Sequence, residues 1–315
     1  MLSIIVPLFN EAENVPLFID RVRNVLANER LSYELILVDD GSKDLTFDLI
    51  KTEAAKDPRI KGIRFRRNNG QTAAIKAGID AAKGDICITM DGDLQHDPAD
   101  IPKFINKLNE GYDLVCSYRF QRNDAFTRRF PSKIANFIGR KISKLDLKDF
   151  GSTFRAYKTD LAKEIPIYGE MHRFIPIFVG TLTDSITEIP ISLQPRVHGQ
   201  SKYGIDRTFR VFSDLLFLVF FASFFNRPIH IFGYIAIGLG TPGLLILSWL
   251  SVSKVLGYIE IMNYGPLFML GGMLCLVAGQ IFVIGVVCEY LVRIYYNDKR
   301  RPYSISEATF DPDSQ

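Results

Sequence analysis

Ile86-Cys87-Ile88-Thr89-Met90-Asp91-Gly92-Asp93-Leu94-Gln95-His96-Asp97-Pro98 is the most informative stretch of the chain. A strand-like apolar run leads straight into two carboxylates separated by a glycine, and then into a proline that can open a helix. A buried strand delivers acidic side chains to the edge of a sheet in this form. Oxygen donors placed there suit a hard divalent cation, and a cation suits a pyrophosphate.

The segments before and after it repeat the theme. Leu2 to Pro7 is a short apolar run, followed by Asn10-Glu11-Ala12-Glu13, where Asn10 can cap a helix and Glu13 falls at the capping-box position. Leu35 to Val38 ends in the turn Asp39-Asp40-Gly41-Ser42, and a helix follows. Ile60 to Phe65 is a third strand. Asn68-Asn69-Gly70-Gln71 then opens a helix carrying Ala73, Ala74, Ile75, Ala77, Ile79 and Ala81, and Leu114 to Ser117 follows the acidic stretch as a further strand. Strands alternating with helices at this spacing predict a mainly parallel, doubly wound α/β sheet. Ligands of such sheets bind beyond the carboxyl ends of the strands, so Asp39-Asp40 and Asp91-Gly92-Asp93 should face one crevice. Asp is common in turns, and a purely structural turn is the competing account of either pair.

Composition divides the 315 residues by solvent. Charged residues are interspersed up to Lys202, whereas Phe209 to Tyr296 is predominantly apolar. A net charge of +3 without a long Lys/Arg tract gives no reason to expect a nucleic-acid partner. Cys87, Cys116, Cys275 and Cys288 follow no metal spacing and read as small core hydrophobes in a reducing compartment. The amino terminus enters a strand at once, so no signal peptide is expected and the first two thirds are assigned to the cytosol.

Leu215 to Phe225 is uncharged over only 11 residues; with Arg207, Arg210 and Arg227 around it, it reads as a helix lying in the membrane interface. Ile229 to Leu250 and Tyr264 to Cys288 lack Asp, Glu, Lys and Arg over 22 and 25 residues, about 33 and 37 Å as helices and enough for a bilayer core. Lys254 and Glu260 lie between them, and Arg293 and Asp298-Lys299-Arg300-Arg301 follow. Positive charge therefore favours a hairpin with both ends in the cytosol. The expected divisions are a catalytic region 1–205, an interfacial helix 206–227, a hairpin 228–296 and a basic tail 297–315.

Gly238-Leu239-Gly240-Thr241-Pro242-Gly243 matches a dinucleotide fingerprint but lies inside an apolar span, so it reads as a flexible or close-packed membrane helix. Asp91 to Gln95 begins like a calcium loop, but that loop needs Gly and Glu where His96 and Pro102 stand. Gly271, Cys275 and Gly279 form a small-residue face suited to helix association, which adds a homo-oligomer to the expected partners. Arg119 to Lys148 holds nine Lys/Arg against Asp124 and Asp146. A solvated face and a contact with phosphate or anionic lipid both account for it.

Leu2-Ser3-Ile4-Ile5-Val6-Pro7-Leu8-Phe9-Asn10-Glu11-Ala12-Glu13-Asn14, Val38-Asp39-Asp40-Gly41-Ser42-Lys43-Asp44, Met90 to Pro98, and Arg196-Val197-His198-Gly199-Gln200-Ser201-Lys202-Tyr203 together resemble glycosyltransferase family 2. Within it the chain is similar to polyprenyl-phosphate glycosyltransferases: dolichol-phosphate mannose synthases and, closer, bacterial undecaprenyl-phosphate (bactoprenol) glucosyltransferases. The resemblance spans essentially the whole chain. It implies an α/β, Rossmann-like, nucleotide-sugar-binding glycosyltransferase A fold with interfacial helices, followed by a two-helix transmembrane hairpin.

It further implies that Pro7, Asn10, Glu11, Gly70 and Gln71 line a nucleotide pocket, that Asp39 or Asp40 contacts base or ribose, and that Asp91, Asp93 and Gln95 hold Mg²⁺ or Mn²⁺. Arg119, Arg128, Arg129, Ser132, Arg196, Ser201 and Lys202 correspond to positions that bind the acceptor's lipid phosphate. Asp149-Phe150-Gly151-Ser152-Thr153-Phe154-Arg155 resembles the family's Asp-x-x-Ser-Gly-Phe-Arg segment, with Thr153 where glycine is usual. Asp149 and Arg155 join Asp91 and Asp93 as catalytic candidates, with His172 and Arg173 behind them.

The implied reaction is a single inverting displacement from a UDP-sugar, glucose first, to undecaprenyl or another polyprenyl phosphate at the cytosolic face of a bacterial inner membrane. UDP-aminoarabinose and GDP-mannose are the alternative donors. A processive polysaccharide synthase would carry Gln-x-x-Arg-Trp, but Trp249 lies in a span. A scaffold without catalysis would not need the intact Asp91, Asp93 and Gln95.

Overall fold

β1 (Leu2–Leu8) and β2 (Tyr33–Asp39) are buried along almost their whole length, as strands covered on both faces must be. In this computed structural model, residues 1–29, 31–119, 140, 145–165, 167, 172, 175–180, 182–192, 194, 228–297 and 305–309 are described. Contacts divide the chain into one unit of Met1–Val219 with Arg301–Gln315 and a second of Phe220–Arg300.

In the first unit β1 pairs in parallel with β2 from Leu2↔Tyr33 to Leu8↔Asp39, and with β4 (Ile86–Thr89) on its other side. β3 (Ile60–Phe65) continues the parallel set beyond β2. Alternation along β1 serves two layers. Ile4, Val6 and Leu8 join a core with Phe18, Ile19, Val22 and Leu26 of α1 (Asn14–Asn28) and Phe104 and Leu108 of α4 (Ile101–Asn109). Ile5 meets α3 (Gln71–Ala81) instead, where a Cβ on Gly78 would overlap Ile5 Cγ2. Burying each such Ile, Leu or Phe contributes roughly 1.5–3 kcal/mol.

The parallel expectation holds for β3-β2-β1-β4 and gives way beyond β4. There β6 (Arg155–Lys158) runs antiparallel to both β4 and β5 (Leu114–Arg119), while β7 (Ile186–Ile191) lies parallel to β5. With β8 (Ile305–Ala308), the full order is β7-β5-β6-β4-β1-β2-β3-β8. The outermost strand β8 comes from the expected basic tail and pairs antiparallel with β3. α2 (Thr46–Lys56) lies between β2 and β3 in the chain, and two short helices, α5 (Thr159–Glu164) and α6 (Ile175–Val179), follow β6.

The second unit is a pair of helices, α7 (Pro228–Val255) and α8 (Gly265–Asn297), both long and apolar enough to cross a membrane. Their 28 and 33 residues rise about 42 and 50 Å. The glycine-rich decoy is a packing face: a Cβ on Gly243 would lie 2.9 Å from Cys275 Sγ and from the Gly271 carbonyl, and one on Gly240 3.3 Å from Ala278. Gly271 and Cys275, read earlier as an association face, thus serve contact within the hairpin. Ile237, Leu244, Met273 and Leu276 are exposed, as lipid-facing side chains are. The interfacial segment 206–227 lies outside the described residues.

Candidate active site

The carboxyl ends of β4, β1 and β2 stand side by side, and the loops leaving β1 and β2 are tied to each other. Asn10 takes a left-handed φ of 55°, which Asn tolerates better than most residues. Its amide donates to Ser42 Oγ at 2.8 Å, and its side-chain oxygen accepts from the Lys43 amide at 2.9 Å. This replaces the expected cap: α1 begins behind Glu13, which makes no side-chain capping bond. The Glu11 amide donates to Thr46 Oγ1 at 2.9 Å, and the Glu11 carboxylate accepts from Asn14 Nδ2 at 2.5 Å. Pro7 is half-buried beside Val38.

Asp39 and Asp40 are both buried and engaged with the chain itself. Asp39 accepts from the Ser42 amide at 3.0 Å and faces Arg64 Nε at 3.4 Å. Asp40 receives the Asn69 and Gly70 amides, one on each oxygen, at 2.7 and 2.9 Å. Burial raises both carboxyls above their ordinary range, against the pull of these hydrogen bonds. Asp40 therefore sets the entrance to α3, and the residue after Gly70 reaches the acidic loop: Gln71 Nε2 donates to Asp91 Oδ1 at 2.7 Å.

Asp91, Asp93 and Gln95 are half-buried, and the residue after each, Gly92, Leu94 and His96, is buried, so oxygen donors alternate with anchors. A Cβ on Gly92 would overlap Leu8 Cδ2. Leu94 sits fully buried at φ 63°, a conformation costing about 1–3 kcal/mol that persists only where the surroundings impose it. His96 packs on Phe154 with ring centroids 5.2 Å apart. Pro98 opens a 3₁₀ turn, capped by Asp97 on the Ala99 amide, that continues into α4.

Two carboxylates and a carboxamide fit Mg²⁺ or Mn²⁺ when substrate oxygens and water complete the shell. No cluster of three or more His, Cys, Asp or Glu forms a protein-only cage among the described residues.

Thr153 does not disturb the segment around Asp149. Its Oγ1 donates to Asp91 Oδ2 at 2.7 Å, and its carbonyl accepts from Thr89 Oγ1 at 2.7 Å. Asp149 accepts from Arg119 Nε at 2.8 Å and from the Gly151 amide at 3.0 Å. Arg155 is buried and donates to the carbonyls of His172 and Phe150, both at 2.7 Å, so it braces the backbone and does not line the crevice. His172 is likewise buried, with Nδ1 2.8 Å from Thr72 Oγ1. The Gln194 amide donates to the Gln95 carbonyl at 2.9 Å. Arg128, Arg129, Ser132, Arg173, Arg196, Ser201 and Lys202 lie outside the described residues.

The roles of Ser42, Thr46 and Thr153 escaped the sequence reading. Only Thr153 carried a signal, as a hydroxyl standing where a glycine is usual.

The sequence profile for Glycosyl transferase family 2 matches residues 3–166. A dodecaprenyl-phosphate galacturonate synthase of Rhizobium johnstonii is 40% identical over 100% of this chain and 94% of its own length. An undecaprenyl-phosphate 4-deoxy-4-formamido-L-arabinose transferase of Shewanella sediminis is 33% identical over 95% of this chain and 89% of its own. Among solved structures, glucosyl-3-phosphoglycerate synthase of Mycobacterium tuberculosis, in complex with Mn²⁺, UDP and phosphoglyceric acid, superposes with a TM-score of 0.55 at 18% identity. That match covers 70% of this chain and 78% of the other, and it shows a shared fold. The chain belongs to glycosyltransferase family 2 and is a glycosyltransferase, with relatives that are polyprenyl-phosphate sugar transferases.

Proposed function

We propose that this protein is a membrane-anchored enzyme that transfers a sugar from a UDP carrier to a polyprenyl phosphate by one inverting displacement. The observation that carries the reading is the Asp91-Gly92-Asp93 turn, with Asp91 oriented by Gln71 and Thr153. Arg119, oriented by Asp149, stands at the end of β5 in the same sheet. A carboxylate pair for the donor and a guanidinium for the acceptor phosphate are the two halves such a transfer needs.

Asp91, Asp93 and Gln95 would hold Mg²⁺ or Mn²⁺, which offsets the negative charge gathering on the departing diphosphate. The loops around Asn10, Glu11, Asp39, Asp40 and Gly70 shape the nucleotide pocket. Arg119, with Arg128, Arg129, Ser132, Arg196, Ser201 and Lys202, receives the lipid phosphate. A phosphate monoester is anionic near neutral pH, so its oxygen attacks the anomeric carbon without a strong base. Asp149, engaged at both oxygens, orients Arg119.

In the chain, α7 and α8 lie between β7 and β8, which are both strands of the one sheet. Both ends of a spanning hairpin then lie on one side of the membrane, and the flanking basic residues make that side the cytosol. For the sugar, the 40% identity to a galacturonate synthase favours galacturonate over glucose.

The test is to incubate the purified full-length protein with Mg²⁺ or Mn²⁺, polyprenyl phosphate and labelled UDP-galacturonate, UDP-glucose, UDP-4-deoxy-4-formamido-L-arabinose or GDP-mannose. Label should enter the organic phase from UDP-galacturonate. Transfer from another donor alone would overturn the sugar assignment, and transfer from none would sink the enzymatic reading.

A further inference from the structure

We infer that Thr153 is a positioning residue that fixes the metal-binding orientation of Asp91, an inference resting on the reading of Asp91 as a metal ligand. The Asp91 carboxylate is held at both oxygens, by Gln71 Nε2 on Oδ1 and Thr153 Oγ1 on Oδ2, each at 2.7 Å. Two donors on opposite oxygens fix the plane of the group, while each oxygen keeps a lone pair for a cation.

Thr153 is itself fixed. It is buried, and its carbonyl takes the Thr89 hydroxyl at 2.7 Å from the last residue of β4, two positions before Asp91. Thr89 pairs in register with Arg155, so the strand leading to Asp91 and the segment bearing Thr153 are tied to each other. A glycine here would leave Oδ2 without this donor. The hydroxyl acts on the donor side although the segment begins at Asp149.

Hydrogen-bonded partners of carboxylate ligands commonly set metal affinity by about 10- to 100-fold. The experiment measures Mn²⁺ binding to the full-length protein in the presence of UDP and the absence of acceptor, by titration followed with electron paramagnetic resonance. Thr153→Val removes the hydroxyl at nearly constant volume and should weaken Mn²⁺ binding by about tenfold, whereas Thr153→Ser should stay within about twofold of the parent. Thr153→Gly provides the same comparison should the valine variant fold poorly, and it should also lose about tenfold.

Unchanged Mn²⁺ affinity in the hydroxyl-less variants, or an equal loss in Thr153→Ser, would overturn the inference. Asp91→Asn, titrated in parallel, separates the two levels. It should lose Mn²⁺ binding; retention there would refute Asp91 as the ligand, and this inference with it.

Discussion

Arg119 and Asp149 form an ion pair through the Nε edge of the guanidinium, 2.8 Å from Oδ2, and the Gly151 amide holds the other carboxylate oxygen at 3.0 Å. A buried carboxylate engaged on both sides is suited to orienting its partner and poorly suited to taking a proton from a substrate. With Nε on the carboxylate, an arginine can still present terminal N–H groups to a phosphate. Asp149→Asn is therefore expected to raise KM for polyprenyl phosphate about tenfold, to lower kcat less than about threefold and to leave the pH profile unchanged in shape. A fall in kcat of more than about a hundredfold at constant KM would instead make Asp149 the base.

Asp40 supports a different loop. Its carboxylate spans the Asn69 and Gly70 amides, and Gly70 itself takes φ 90° at the entrance to α3. Asp40→Ala leaves both amides without their acceptor, a loss of about 1–3 kcal/mol where such groups stay buried. Because Gln71 follows directly and holds Asp91, the variant should also raise KM for the nucleotide sugar while leaving KM for the lipid unchanged. Steady-state kinetics with each substrate varied in turn distinguishes this from general destabilisation, which would lower active enzyme and leave both constants alone.

The parallel half of the sheet was legible because each strand is a short, mainly apolar segment bounded by turn formers: Ile60 to Phe65, with Lys61 and Arg64 half-buried between buried residues, coincides with β3. The acidic turns were legible for the same reason, since a strand end fixes where a following Asp must lie. β6 to β8 were not. Arg155–Lys158 has no apolar run of its own, and its place between β4 and β5 depends on pairing across the sheet. β8 follows the last helix in a charged tail, and only docking against β3 makes it a strand. The site divides in the same way. Asp91 and Asp93 are recognisable from local sequence, whereas the Thr153–Asp91 bond joins residues 62 positions apart. Arg155 shows the opposite case: the resemblance made it a catalytic candidate, and it is buried with its guanidinium on two backbone carbonyls.

β8 closes an edge that would otherwise expose unpaired amides and carbonyls of β3. Ile63 faces Ala308 and Arg64 faces Glu307, while Gly62 and Thr309 exchange two hydrogen bonds of 2.7 and 2.9 Å. Arg64 is also the ion-pair partner of buried Asp39. Ending the chain after residue 304 should lower the melting temperature by about 2–4 °C for each kcal/mol lost and promote aggregation through the bare edge. Thermal melting and light scattering of the detergent-solubilised protein check this. An unchanged melt would mean that β8 contributes nothing to the sheet.

Glu34 supplies a pH dependence at the other end of the strands. It is buried, accepts from Ser3 Oγ at 2.5 Å and from the Lys83 amide at 2.6 Å, and pairs with Lys61. Burial works to raise its carboxyl, but the bonds from Lys61, Ser3 and Lys83 together outweigh it, and the pKa falls below the ordinary 4.5. With the folded pKa depressed, the unfolded chain binds the proton more readily. The stabilisation from Glu34 is then complete above about pH 4.5 and drains away as the pH falls through the folded value. Asp39 and Asp40, raised by burial, have the opposite sign and favour the folded state on acidification. Glu34→Gln should therefore melt below the parent at neutral pH, with the gap narrowing as the pH drops below about 4.5. Melting curves of parent and variant across that interval decide the matter, since a gap that stayed constant would assign Glu34's contribution to packing and not to its charge.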